Sequence, residues 1–152
     1  MFITEVCAAL DKAKVNYAIV GGYAVSLHGA PRGTIDVDIV LAWSLKNLRA
    51  AENALNKIRL TSQLPLNAEI MFNFRDEFIQ NRNLVAWNFV DISNPIRQVD
   101  IIITYKLTSD RVTKIKSKMG ILKVLKKDAL IKMKQESNRP QDLEDIKALE
   151  QL

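Results

Sequence analysis

The chain is nearly devoid of the residues that build disulfide staples and metal fingers. It carries one cysteine, Cys7, and one histidine, His28, among 152 residues. A lone thiol cannot close an internal bridge, and no Cys/His cluster offers a zinc site. Cys7 stands in an apolar helical pattern and reads as a small core residue. No apolar run comes near the roughly 20 residues that a bilayer-spanning helix needs. The N-terminal stretch, with acidic Glu5 and Asp11, lacks the basic-then-apolar layout of a secretory leader. These absences lead us to expect a reducing, cytoplasmic setting without membrane attachment. The glycine fingerprint of dinucleotide-binding folds is also missing, as is the Gly-Lys-Ser/Thr of phosphate-binding loops, which argues against dehydrogenases and P-loop enzymes.

What is present fits one domain over residues 1–152. The composition is 48% hydrophobic, enough for a sizeable core, and no repeat, linker or low-complexity segment divides it. Net charge is +5. Between Lys106 and Lys134 stand ten Lys/Arg against two Asp, so that segment is +8 and the remainder −3. A basic segment beside an acidic one suits a polyanionic ligand, a nucleoside triphosphate or RNA, although a solvated lysine-rich face has the same composition.

Hydrophobic spacing predicts a helix over Thr4–Lys14 capped by Thr4, a strand over Tyr17–Val20, a short helix over Gly22–His28 and a strand over Ile35–Leu41. A helix from Leu45 to about Ile58 follows, capped by Ser44. Thr61–Arg82 reads as loop with a short helix around Asp76–Gln80. Strands over Leu84–Ile92 and Arg97–Ile103 are joined as a hairpin through Ser93-Asn94-Pro95-Ile96. Then come a helix over Thr108–Lys118, a strand over Ile121–Leu125, and helices over Asp128–Glu136 and Pro140–Leu152, with Pro140 in a first turn. The expected class is α/β: a mixed sheet flanked by helices, with a helical C-terminal tail. Trp87, Phe89 and Tyr105 are expected in the core or on a sheet face.

The stretch "GGYAVSLHGAPRGTIDVDIVL" (21–41) places two aspartates, Asp36 and Asp38, at the entrance of an apolar strand. Residues two apart point to one face of a strand, so these carboxylates would repel unless a cation neutralised them. Magnesium does so well, since it takes oxygen ligands and combines one or two carboxylates with substrate phosphates. "VDIVL" (37–41) is echoed by "VDIII" (99–103). If those strands are neighbours, Asp100 joins Asp36 and Asp38, and three carboxylates can hold two ions for in-line displacement at phosphorus. Asp91 is the rival third ligand, but a turn follows it at once. Upstream, Gly21-Gly22 follows a strand and opens a helix. It can let a phosphate approach the backbone, or simply make a tight turn.

Taken together, "GGYAVSLHGAPRGTIDVD" (21–38), "VDIII" and "KMKQESNRPQDLEDI" (132–146) resemble the nucleotidyltransferase superfamily. The likeness is closest to its small single-domain members and the AbiEii-like toxins. The resemblance implies the nucleotidyltransferase fold, with transfer of a nucleoside monophosphate from a nucleoside triphosphate such as ATP to an acceptor hydroxyl. It implies that Asp36 and Asp38 bind two magnesium (or manganese) ions, that Asp100 binds the one activating the acceptor, and that Gly21 and Gly22 pack against the triphosphate. Many members carry serine where Gly22 stands; this chain offers backbone amides there. Arg32, Thr34 and Lys134 match motif positions and are expected at the nucleotide. His28 can orient substrate or bond a local carbonyl, and no role is assigned to Arg139 or Asp142. RNA, such as a tRNA end, is the acceptor that the basic 106–134 segment suggests, and a small hydroxylated metabolite or a protein side chain fits the catalytic residues equally well. A silent nucleotide-fold binding module, or a toxin–antitoxin partner working as an oligomer or complex, is the alternative.

Overall fold

The computed structural model describes all 152 residues. Seven strands make one mixed sheet: β1 (Tyr17–Val20), β2 (Val37–Leu41), β3 (Thr61–Ser62), β4 (Ala86–Val90), β5 (Gln98–Lys106), β6 (Val112–Ser117) and β7 (Gly120–Leu125). Six helices flank it: α1 (Phe2–Lys12), α2 (Gly21–Leu27), α3 (Leu45–Lys57), α4 (Ala68–Arg82), α5 (Lys127–Ser137) and α6 (Pro140–Glu150). The strand order is β3-β4-β5-β2-β1-β7-β6. β2 runs antiparallel to β1 and parallel to β5, while β1 and β7 are parallel. The mixed α/β class expected from the sequence is the observed one. No helix is long and apolar enough to cross a membrane.

The central strands are apolar because both their faces are covered. All four residues of β1 are buried, and β2 exposes only Asp38 in part. Val37, Ile39, Leu41, Val99, Ile101, Ile103, Trp87 and Phe89 are buried together with Val6, Leu10, Leu48 and Leu55 of α1 and α3. Trp87 and Phe89 are core residues, as expected, and Cys7 is buried in the same cluster. Local chemistry sets the helix ends: the Ser44 hydroxyl accepts from the Asn47 amide, and the Asn67 side chain accepts from the Ile70 amide.

Four local expectations are corrected. The helix over Thr108–Lys118 is instead a single 3₁₀ turn, Ser109–Arg111, followed by β6. β-branched Val112, Thr113 and Ile115 favour a strand, and Gly120 at φ +100° turns the chain back into β7. α4 fills 68–82, most of what read as loop, from its Asn67 cap. Helix α1 begins at Phe2, so Thr4 lies inside it and its hydroxyl donates to the Met1 carbonyl. β2 begins at Val37, which leaves Asp36 in the loop before it.

Candidate active site

The site is built where β1 ends and β2 and β5 begin. Register sets Val20 opposite Asp38, Asp38 beside Asp100, and Asp100 opposite Asn88, a row of four positions across β1, β2, β5 and β4. The echo between "VDIVL" and "VDIII" is therefore a true strand pairing, with the two aspartates side by side. Val37, Ile39, Val99 and Ile101 turn to the buried face, which leaves Asp38 and Asp100 on the other.

Gly21 adopts φ +68°, a left-handed conformation that suits glycine, and a Cβ there would overlap the Asp38 carboxylate. The turn from β1 into α2 thus packs bare backbone against an acidic side chain. Gly22 lies equally close to Thr34: a Cβ at 22 would stand 2.8 Å from the Thr34 Cβ and 3.1 Å from its hydroxyl oxygen. Thr34 occupies the space that a side chain at position 22 would need.

The carboxyl of Asp38 is raised to about 6, first by burial and then by the negative charges of Asp100 and Asp36. Arg139 and Lys134 pull in the opposite direction and do not compensate. Asp36 is exposed and Asp100 half-buried. Asp38 and Asp100 are strand partners and Asp36 lies close enough for its charge to act on Asp38, yet no three acidic or imidazole side chains close into a metal cage. The donor set still fits a hard divalent cation. It is all oxygen, carries up to three negative charges, and includes a carboxyl whose ionisation costs energy until a cation arrives.

Asn88 was not singled out in the sequence. Its Nδ2 donates to Asp100 Oδ1 at 2.7 Å and to Gln98 Oε1 at 3.3 Å, while its own Oδ1 is buried without a partner. The asparagine fixes the rotation of the Asp100 carboxylate, and the orphaned oxygen is the cost. Asp91, the rival third ligand, is engaged elsewhere: it accepts from the Ser93 amide and hydroxyl and from Arg97.

The tail motif forms a buried ionic knot beside the site. Asp142 and Asp145 are 1% and 2% exposed and Lys134 is 5% exposed. Lys134 Nζ lies 2.9 Å from Asp145 Oδ2 and 3.6 Å from Asp142 Oδ1. Arg32 Nε donates to Asp145 Oδ1 at 3.0 Å, and its Nη1 donates to the Gly33 carbonyl. Burial pushes the Asp142 carboxyl up, but hydrogen bonds from Arg139 and Ser137 outweigh it and hold the group well below the usual carboxylate range. Asp145 is lowered too, with burial opposed by the Lys134 and Gln141 hydrogen bonds. Asp142 also caps the start of α6, its carboxylate accepting from the Arg139 backbone amide at 3.0 Å as well as from the Arg139 guanidinium.

Lys134 and Arg32, expected at the nucleotide, therefore spend their charge on Asp145, where they tie α5, α6 and the loop before β2 into one unit. Arg139, left without a role, is the cation whose guanidinium stays largely exposed while its charge acts on Asp38. His28 Nε2 donates to the Leu125 carbonyl at 2.8 Å, an anchor between α2 and β7 rather than a bond to a nearby residue.

Comparison with family models finds no match, and no curated protein sequence matches either. Solved structures do. The lincosamide antibiotic adenylyltransferase LnuA, bound to lincomycin, superposes with TM-score 0.66 at 14% identity over 98% of this chain and 94% of its own. The antibiotic-resistance factor ANT(2'')-Ia gives TM-score 0.62 at 12% identity over 97% and 80%. A nucleotidyltransferase-like protein from Paracoccidioides brasiliensis gives 0.58 at 18% identity over 97% and 72%.

Proposed function

We propose that this chain, which has the nucleotidyltransferase fold, transfers a nucleoside monophosphate from a nucleoside triphosphate to an acceptor hydroxyl. The observation that carries the reading is the in-register pairing of Asp38 with Asp100, with Gly21 pressed bare against the Asp38 carboxylate. A carboxyl raised by burial and then by neighbouring negative charge, as Asp38 is, is maintained at a cost in stability, and such costs concentrate at functional sites.

In this reading Asp36, Asp38 and Asp100 hold magnesium or manganese, which when bound would neutralise the carboxylates and the triphosphate and favour ionisation of the acceptor hydroxyl. Gly21 and Gly22 let the triphosphate approach the backbone. Thr34, beside Gly22, supplies a hydroxyl where many superfamily members have a serine. Arg139, with Nε and Nη2 donating to Asp142, keeps an unpartnered Nη1 on an exposed guanidinium for a contact with phosphate. Asn88 holds the Asp100 carboxylate in one orientation toward the acceptor. The acceptor oxygen forms its bond to the α-phosphorus, the bond from that phosphorus to the bridging β-oxygen breaks, and pyrophosphate departs with the electron pair. The acceptor proton passes to a carboxylate of the trio. RNA is the acceptor we favour, which the toxin-like resemblance fits; a small hydroxylated molecule is the alternative.

A second reading, a binding module without turnover, draws on the commitment of Lys134 and Arg32 to Asp145. Calorimetry with ATP and magnesium, followed by incubation with α-labelled triphosphates and RNA, separates the two. Binding with label transfer supports the enzyme, and binding alone supports the module. No binding to the wild type overturns both.

A further inference from the structure

Asp100 is half-buried, and one of its two oxygens is already engaged: Oδ1 accepts from Asn88 Nδ2 at 2.7 Å. The hydrogen bonds run on from there. The second Nδ2 proton of Asn88 goes to Gln98 Oε1 at 3.3 Å, and Gln98 Nε2 donates to the Pro95 carbonyl at 2.7 Å. Antiparallel register explains the reach. Asn88 stands opposite Asp100 and Val90 opposite Gln98, so Asn88, Asp100 and Gln98 share the outer face, with Gln98 the diagonal neighbour of Asn88.

This chain of amides has one polarity. A carboxylate and a peptide carbonyl only accept, so the amides between them must donate at both ends. Turning the Asn88 amide over would set its Oδ1 against the Asp100 carboxylate and against Gln98 Oε1. Turning Gln98 over would set its Nε2 against Asn88 Nδ2 and its oxygen against the Pro95 carbonyl. The fixed end is the turn after β4. Asp91, only 3% exposed, accepts there from the Ser93 amide and hydroxyl and from Arg97 Nε at 3.0 Å. The Asp91, Asn94 and Arg97 amides donate to the Arg97, Asp91 and Asn94 carbonyls in that order. The Arg97 guanidinium continues to Glu5 of α1 and to the Ile58 carbonyl at the end of α3, each at 2.9 Å. Pro95 therefore sits on a turn tied to two helices.

We propose that Gln98 is a positioning residue for the transfer. It holds Asn88, and through Asn88 the Asp100 carboxylate, in one rotation, with the 91–97 turn as the fixed point. Without Gln98 one Asn88 proton is unpartnered and that amide is held at a single point. The inference rests on the transferase reading, in which Asp100 serves the acceptor. It also gives Asp91 a place, as the builder of the turn from which the amides are hung.

The test pairs Gln98→Met, which keeps the length of the side chain and removes both bonds, with Asn88→Ala and the double variant. In metal-free protein the Asn88 side-chain amide signals, identified by their loss in Asn88→Ala, are read by nitrogen–proton NMR. Gln98→Met should shift the proton that bonds Gln98 and hasten its exchange with water. With magnesium and labelled triphosphate, kcat should fall about fivefold, the factor carried by one net hydrogen bond, with the KM for the triphosphate unchanged. In the Asn88→Ala background the same substitution should change nothing, because Gln98 acts through Asn88. Melting curves verify folding, and Gln98→Ala repeats the comparison with a smaller side chain. An unmoved Asn88 signal, a further loss of that size in the double variant, or a raised KM would overturn the proposal. Transfer by the wild type with an unmoved signal removes the role of Gln98 alone. A moved signal beside a wild type that transfers nothing keeps the chain of amides and removes the transferase reading.

Discussion

Replacing Asp38 with asparagine should make the metal-free protein more stable at neutral pH while ending its activity. The carboxyl of Asp38 sits at about 6 when folded, through burial and the charges of Asp100 and Asp36, against an ordinary value of 3.8. Well below pH 3.8 the group is protonated in both folded and unfolded chains and costs nothing. Above that, the unfolded chain releases its proton first, so folding stability falls as pH rises and the loss is complete once pH passes the folded value near 6. A shift of about two units corresponds to about 2–3 kcal/mol at pH 7. Asparagine keeps the shape and removes the charge, so Asp38→Asn should gain that amount at pH 7 and only about 0.5 kcal/mol at pH 4. For a chain of this size the gain is about 5–10 °C in melting temperature. Comparing the two proteins at each pH cancels the acid-side loss from Asp142 and Asp145, which both retain. Urea unfolding at pH 4, 5, 6 and 7, without and with magnesium, reads the effect. Magnesium should stabilise the wild type and leave Asp38→Asn unmoved. A variant no more stable than wild type at pH 7, or an equal gain at pH 4, would refute the electrostatic argument.

Asn88→Ala removes the donor to Asp100 together with the buried orphan oxygen, so stability should change by less than about 1 kcal/mol. Transfer rate should nevertheless fall about tenfold, as for other groups that orient a metal ligand, and an unaltered rate would deny Asn88 that role. Gly21→Ala forces a side chain into left-handed backbone and onto the Asp38 carboxylate; a loss of about 1–3 kcal/mol is expected by urea midpoint, and an unshifted midpoint would contradict the close packing described. Lys134→Met removes the buried cation shared by Asp145 and Asp142 and leaves them to Arg32 and Arg139, so it should cost about 1.5–3 kcal/mol, whereas loss of a nucleotide ligand at the surface would cost affinity and little stability.

The site's acidic half was legible because an aspartate before an apolar run has few structural explanations, and the repeated pattern in 37–41 and 99–103 reported a strand pairing directly. Gly21-Gly22 was legible for a similar reason: glycine tolerates the left-handed turn. The cationic half was less so. Sequence spacing places Lys134 and Arg32 near the site but does not reveal that Asp145, 11 residues beyond Lys134, claims both. Asn88 gave no signal, because an asparagine in a strand acquires meaning only through its cross-strand partner. In the fold, β6 was misread as helix since Val112 and Ile115 are three apart, a helical spacing, whereas the strand alternates half-buried Thr113, Ile115 and Ser117 with exposed Lys114 and Lys116 and is turned back at Gly120.

The central claim is that Asp36, Asp38 and Asp100 act together on a triphosphate and a hydroxyl. The most direct measurement incubates the wild type, Asp38→Asn and Asp100→Asn with each of four α-labelled nucleoside triphosphates, magnesium and total RNA, and follows label into the acceptor. Label should transfer with the wild type and fall to background in both variants while their melting curves stay cooperative. Undiminished transfer in either folded variant would contradict the account.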